Sequence, residues 1–261
     1  MKKSTLMYLL ILLTFSASSI YAQSVEELIA KGDNYYKEFN NQAALETFLK
    51  AKELAPDNYE VIWRLSRTLV DIGEHMPTST SEQEDAQEKT FYEALAYANK
   101  AVELAPDKSI TYLRRAIANG KIALFKGIFS VATIVDSTRD DCKKAIGLNT
   151  GGADVQGIAH YVLALTNAKV STKWAPARSV LGLGWADLDT ALVEYKKAEE
   201  LKPNFVMIYV DYAKALMRDD QYELAKEKLE KALAAPITDE DDEVRKAEAK
   251  ELLIEVKEEL E

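Results

Sequence analysis

Hydrolytic or metal-assisted chemistry needs His, Cys or carboxylate groups that converge on one point. This 261-residue chain has only two histidines and one cysteine. His75 stands at the head of a polar stretch, HMPTSTSEQEDAQEKT, and His160 lies in GIAHYVLAL, which reads as a helix, so no shared site is expected of them. Cys142 takes a place that equivalent segments fill with Phe48 or Tyr195, which marks it as a small core residue rather than a nucleophile. Gly182 and Gly184 in LGLGW lack the strand-to-helix setting of a phosphate loop. No catalytic residue, metal site or cofactor is expected, and the chain reads as non-enzymatic.

Residues suited to binding are easier to find. In YEVIWRLSRTLVDI, from Tyr59, Trp63 and Arg67 are four apart and share one helical face, with Glu60 close by. Tyr112, Arg114 and Arg115 form a second group. Trp and Arg are enriched in binding hot spots, and an arginine facing a groove attracts carboxylate or phosphate groups. The alternative pairs these arginines with nearby acids such as Glu60 and Asp71, which would make them structural. Two apolar stretches, GKIALFKGIFSVATIVD from Gly120 and KWAPARSVLGLGW from Lys173, offer Phe125, Phe129 and Trp174 as linings for a greasy ligand.

The elements that must position these residues follow a repeat. NNQAALETFLKAKELAPDN, TFYEALAYANKAVELAPDK and ALVEYKKAEELKPNF share one spacing of Ala, a second apolar residue, Ala and Pro. The sets are Ala44, Phe48, Ala51, Pro56; Ala94, Ala98, Ala101, Pro106; and Ala191, Tyr195, Ala198, Pro203. A fourth set, Ala225, Leu229, Ala232, has its Pro236 one residue early, and a degenerate set, Thr138, Cys142, Ala145, lacks the proline. Steps of four and three keep residues on one helical face, small Ala admits a close neighbour, and Pro ends the helix. With Gly32 and Tyr35 upstream, the first unit matches the tetratricopeptide helix-turn-helix of about 34 residues. Its Trp position is Leu28.

Later units are stretched. The intervals Pro56–Pro106, Pro106–Thr150 and Thr150–Pro203 exceed one repeat, the first through the polar stretch from His75 and the others through the two apolar stretches. The expected fold is therefore an all-α tetratricopeptide-repeat-like solenoid of about five helix pairs, with elongated middle repeats and a C-terminal capping helix. For that last helix Thr238 is the expected N-cap, and Asp239 to Glu243 are expected to be a solvated acidic first turn. The acids lack the spaced ligands and Gly of a calcium loop. The run Ile122–Val135 would rise only about 21 Å as a helix, too short to span a bilayer and interrupted by Lys126. It is expected instead to join the two helices of the third pair, covered by the 173–185 stretch, either in direct contact or around a lipid-sized gap.

Residues 1–22 combine Lys2 and Lys3, an apolar run and Ala22, the order of a signal peptide, which leaves residues 23–261 as one repeat domain. The net charge is −10, and losing Lys2 and Lys3 makes it −12. Such a chain should be repelled by phosphate backbones and anionic surfaces, so nucleic acid is not an expected partner. Lone Cys142 leaves stability to packing alone. The expected location is the periplasm or the medium.

DNYEVIWRLSRTL, GKIALFKGI, CKKAIGLN, KWAPARSVLGL and AKEKLEKALAAPITDEDDE, in this order, resemble the regulator of microtubule dynamics proteins and their bacterial relatives from about Val25 onward. The resemblance implies an all-helical array and includes a eukaryotic tether whose repeat domain binds and moves phospholipid. It departs from the pattern at Thr150, Gly151 and Gly152, where the helix-ending proline is replaced. The groove positions that carry a peptide-carboxylate clamp in some repeat proteins hold Ile29 and Asp33 here, so that clamp is absent. The leading expectation is an exported scaffold binding an envelope protein or peptide. The alternative is a binder or carrier of an apolar ligand such as a phospholipid or fatty acyl chain.

Overall fold

Five of the described helices start at a local side-chain cap. In the computed structural model, which describes residues 24–261, Ser24 opens α1 (Val25–Lys37) with a reciprocal capping box to Glu27. Asn40 accepts from the Ala43 N–H to start α2 (Asn41–Leu54), and Asn58 accepts from the Glu60 N–H to start α3 (Tyr59–Glu74). The chain continues through α4 (Ser81–Leu104), α5 (Ser109–Lys126), α6 (Ala132–Leu148), α7 (Gly152–Ser171) and the short α8 (Ala175–Val180). It ends with α9 (Leu188–Leu201), α10 (Val206–Met217), α11 (Tyr222–Ala234) and α12 (Asp242–Glu259). The expected signal peptide lies outside the described residues. No described helix is long and apolar enough to cross a membrane.

The helices form five antiparallel-type pairs: α1 with α2, α3 with α4, α5 with α6, α7 with α9, and α10 with α11. The repeat spacing explains why. Every alanine of the four proline-marked sets is fully buried, as are Phe48, Tyr195 and Cys142. Gly32 and Gly73 allow the tightest approaches, because a Cβ on either would sit within 2.4 Å of Phe48 or 2.6 Å of Phe91. Pro56, Pro106, Pro203 and Pro236 each follow the last helical residue by two. Thr150 holds the same place after α6, and its turn closes differently. Asn149 is left-handed, and Thr150 exchanges hydrogen bonds with Ser109 at 2.7 and 2.9 Å.

First helices of successive pairs also touch one another, α1 to α3, α3 to α5, α5 to α7 and α7 to α10, and so build a continuous inner wall. The polar stretch from His75 becomes a short loop and the first turns of the long α4. The apolar stretch from Gly120 is not one all-round apolar helix. Gly127, at φ +85°, stops α5, and Leu124 and Phe129 face outward. Its remaining apolar residues are covered as expected, with Ile128 and Val135 packing directly against Leu183, Trp185 and Ala186 of the second stretch. The Trp185 indole N–H donates to Asp136 at 2.7 Å across the same seam.

The C-terminal end departs from expectation. α12 does cover α10 and α11, but Thr238 is not its N-cap, and the acidic stretch is only partly solvated, with Glu240 and Glu243 exposed, Asp239 and Asp241 half-buried and Asp242 enclosed. Asp242 is fully buried and accepts the backbone N–H groups of Thr238 and Asp239 at 2.7 and 2.8 Å, which folds 238–241 into a tight turn. That turn reaches back to the first repeats. Asn41 donates to Glu240 at 2.7 Å, and His75 Nε2 lies 3.1 Å from Asp241.

Candidate functional site

The inner wall of the first three pairs collects arginine and aromatic side chains. Asp33 of α1 and Arg67 of α3 are 34 residues apart, one repeat, so they fall at matching positions of adjacent first helices and meet at 2.9 Å. Arg64 is 31 residues from Asp33 and binds it through Nε at 2.9 and 3.0 Å, while its Nη1 reaches Glu60 at 2.6 Å. Glu60 also accepts from the Trp63 indole N–H at 2.8 Å. Burial alone would raise the Glu60 carboxyl, yet these donors and Tyr59 outweigh it and hold it below the usual range.

Three guanidinium groups surround the nearly buried Trp63. Arg64 lies 4.2 Å, Arg67 5.0 Å and Arg114 5.4 Å from its ring centre, and Arg67 also stacks 3.6 Å from the Tyr36 ring. Such contacts contribute about 0.5–2 kcal/mol each, more as water is excluded. Arg114 follows Arg64 by 50 residues, the interval between Pro56 and Pro106, so two like charges occupy matching positions.

Arg114 differs from its neighbours in one respect. Among the described residues no carboxylate lies within ion-pairing distance of it, and its buried Nε has no hydrogen-bond partner. Burial, and then the nearby Arg67 charge, push its guanidinium down to about 10. Asp71 on the same wall also makes no ion pair, but it accepts from the Tyr36 hydroxyl. Burial raises its carboxyl to about 6, although the Tyr36 hydroxyl and the Arg114 and Arg67 charges oppose the shift. The wall therefore carries one guanidinium without an ion pair, Arg114, which is coupled to the nearby Asp71 carboxyl and lies beside an indole. A guanidinium without an ion pair favours a carboxylate or a comparable anion.

Of the residues singled out in the sequence, the structure brings Trp63, Arg67 and Arg114 together. Arg67 pairs with Asp33 rather than with Glu60 or Asp71. Tyr112 lies beside them in sequence but contacts Arg115 and Lys144, and Arg115 is tied to Asp141 at 2.7 and 2.8 Å. Phe125, Phe129 and Trp174 are not gathered into a lining. Phe125 meets Phe91 edge-on at 6.4 Å, Phe129 faces outward, and Trp174 is 72% exposed. The sequence reading missed Arg64 and the role of Asp33, although the 34-residue offset from Asp33 to Arg67 was a usable signal.

The remaining chemistry is structural. His160 is buried against Glu194, which also takes Lys197 at 2.9 Å, and Cys142 is enclosed so that burial pushes its thiol far up. No cluster of metal-ligating side chains occurs among the described residues. A cavity of about 180 Å3 opens beside the arginine cluster, shares Tyr36 and Asp71 with it, and is closed on one side by the 238–241 turn.

Solved structures similar in fold to this chain include a thermophilic TPR protein of Thermus thermophilus, with a TM-score of 0.61 at 20% identity, covering 87% of this chain and 98% of that one. Yeast Tom70 gives 0.58 at 17% identity, covering 91% and 41%. These likenesses show the tetratricopeptide solenoid fold. Among curated relatives, regulator of microtubule dynamics protein 1 of Mus musculus is 28% identical over 237 residues, 88% of this chain and 74% of that protein. The Bos taurus protein is 26% identical over 249 residues, 92% and 74%. The family model for regulator of microtubule dynamics protein 1-3 matches residues 28–257, nearly the whole repeat array, and the chain belongs to that family.

Proposed function

We propose that this protein is a non-enzymatic scaffold whose inner groove captures a segment of a protein partner, with Arg114 and Trp63 anchoring an acidic group of that segment. A solenoid of this kind offers a protein-interaction surface as its basic property, which is an argument from architecture. The observation that carries the finer reading is the Arg114 guanidinium, which has no anionic partner among the described residues and lies against an indole. The partner is placed in the bacterial envelope, following the signal-peptide pattern of residues 1–22. Mature N-terminal sequencing and cell fractionation test that placement, and an intact leader on cytoplasmic protein would refute it. Crosslinking followed by pull-down from envelope extracts should yield a recurrent partner that Arg114→Met loses. Equal recovery by wild type and Arg114→Met would sink the groove reading.

Carriage of an apolar ligand draws support from the family resemblance, but the two apolar stretches are in contact with each other. Native mass spectrometry separates the two readings. A clean apo mass with no uptake of added phospholipid excludes the carrier.

A further inference from the structure

The acidic turn before α12 touches residues almost a whole chain length away. Glu240 accepts from Asn41 of α2, and Asp241 faces His75 at the end of α3, sequence separations of 199 and 166. These contacts join the last repeat to the first two and make the turn part of the lining of the cavity that shares Tyr36 and Asp71 with the arginine cluster. Taking the groove reading as its basis, we infer that the 238–241 turn is a built-in latch that covers one end of the groove and must swing away before a partner segment can enter.

The chemistry of the latch turns on His75. Its Nδ1 lies 2.8 Å from the Asp71 carbonyl oxygen, which can only accept, so Nδ1 carries a proton. Its Nε2 lies 3.1 Å from the Asp241 carboxylate, and Glu240 is 3.7 Å from Nδ1. Both ring nitrogens thus face acceptors, and only the imidazolium satisfies both. The other charged groups around the ring are Asp71 and Glu74 on α3, Asp239 on the turn, Lys37 on α1, and Lys121 on α5, which pairs with Glu74. Leaving His75 aside, the fixed charges at this junction are predominantly acidic. Its proton therefore decides whether the turn is attracted or repelled.

The neighbouring carboxyls act in the same direction. Burial, the largest influence on His75, favours the neutral ring, but the Asp71 carbonyl and the Asp241 and Glu240 carboxylates outweigh it and raise its affinity for a proton. Burial raises Asp71 to about 6, and burial together with Asp242, Asp241 and Glu74 raises Asp239. A group that binds its proton more tightly in the closed form stabilises closure at low pH and loses that contribution as pH rises through its closed-form value. Acid therefore closes the latch. The His75 contribution disappears upward from the ordinary histidine range near about 6.5. The ion pairs are partly exposed and individually weak, which keeps closure reversible.

The test uses the full repeat domain with Cys142→Ala, and spin labels on cysteines introduced at the exposed positions Glu38 and Glu243. Pulsed electron–electron double resonance at about pH 5.5 should give one narrow distance, and at about pH 8.5 a longer, broader distribution. His75→Ala and Asp241→Ala should show the open distribution at both values. An unchanged narrow distance at both values and in both variants overturns the latch.

A fluorescent hexaglutamate peptide serves as the binding probe. His75→Ala should bind it about tenfold more tightly than the parent at the acid value, because a larger fraction of molecules is open. An opened turn with no change in peptide affinity overturns occlusion. If opening is observed but no form binds the peptide, the latch stands and the acidic-segment groove reading fails.

Discussion

Two regions of this solenoid are built from the same side-chain types and end in different states. In the C-terminal pairs, Asp211 lies buried among Tyr161, Lys214 and Arg245, at 2.8, 3.5 and 3.4 Å, and Arg245 is also held by Glu248 at 2.8 Å. Around that network Tyr195 and Tyr212 stack at 5.5 Å, and Tyr161 meets Phe205 edge-on at 6.1 Å. Each charge there has a partner, and the cluster joins α7, α10 and α12. In the N-terminal pairs, Arg64 and Arg67 are neutralised by Asp33 and Glu60, while Arg114 makes no ion pair among the described residues and has Trp63, Arg67 and the Asp71 carboxyl as neighbours. A closed network of buried charges serves the fold. An incompletely paired one, kept in place by stacking, is the kind of arrangement on which the proposed binding role rests.

The comparison can be broken by removing the central group from each region. Asp211→Ala should be the most damaging change, because it leaves the Tyr161 hydroxyl without its acceptor and Arg245 with Glu248 as its one remaining carboxylate. A loss of about 3–5 kcal/mol in chemical denaturation is expected, and a loss below about 1 kcal/mol would show that the network is not closed. Asp33→Ala removes the acid shared by Arg64 and Arg67 at a more exposed place, so about 1–3 kcal/mol is expected. Arg114→Met should leave stability unchanged or raise it by up to about 1 kcal/mol, since an unpaired, part-buried cation is removed. Its binding of an acidic peptide should fall at least about tenfold by titration calorimetry. A destabilised Arg114→Met that still binds would reverse the assignment of the two regions. Trp174→Ala, at a largely exposed position, should change stability by less than about 0.5 kcal/mol.

Much of the architecture was legible because it depends on local regularity. The Ala44–Phe48–Ala51–Pro56 spacing recurs, and each recurrence became the second helix of a pair with its alanines buried. The contact between Gly32 and Phe48 followed from the same pattern. The site was legible only in part. Trp63 and Arg67 lie on one helix, so a spacing of four sufficed to put them together. Their neighbours Asp33 and Arg114 belong to other helices and enter through repeat offsets of 34 and 50 residues, the second lengthened by an insertion that hides the register. Phe125, Phe129 and Trp174 showed the opposite weakness. They were grouped by hydrophobicity, which does not say which side of a turn faces inward, and Gly127 redirects the chain between the first two.

Composition and spacing by themselves determined that this chain forms helices, where the proline-marked helices stop, and that those helices pack in pairs, because propensity, capping and one-face periodicity act over a few residues. Only the tertiary structure decided which charges remain unpaired on the inner wall, and that an acidic turn near residue 240 returns to Asn41 and His75. Both depend on the accumulated rotation from pair to pair. That rotation is the sum of many small packing angles, which no local stretch of the sequence encodes.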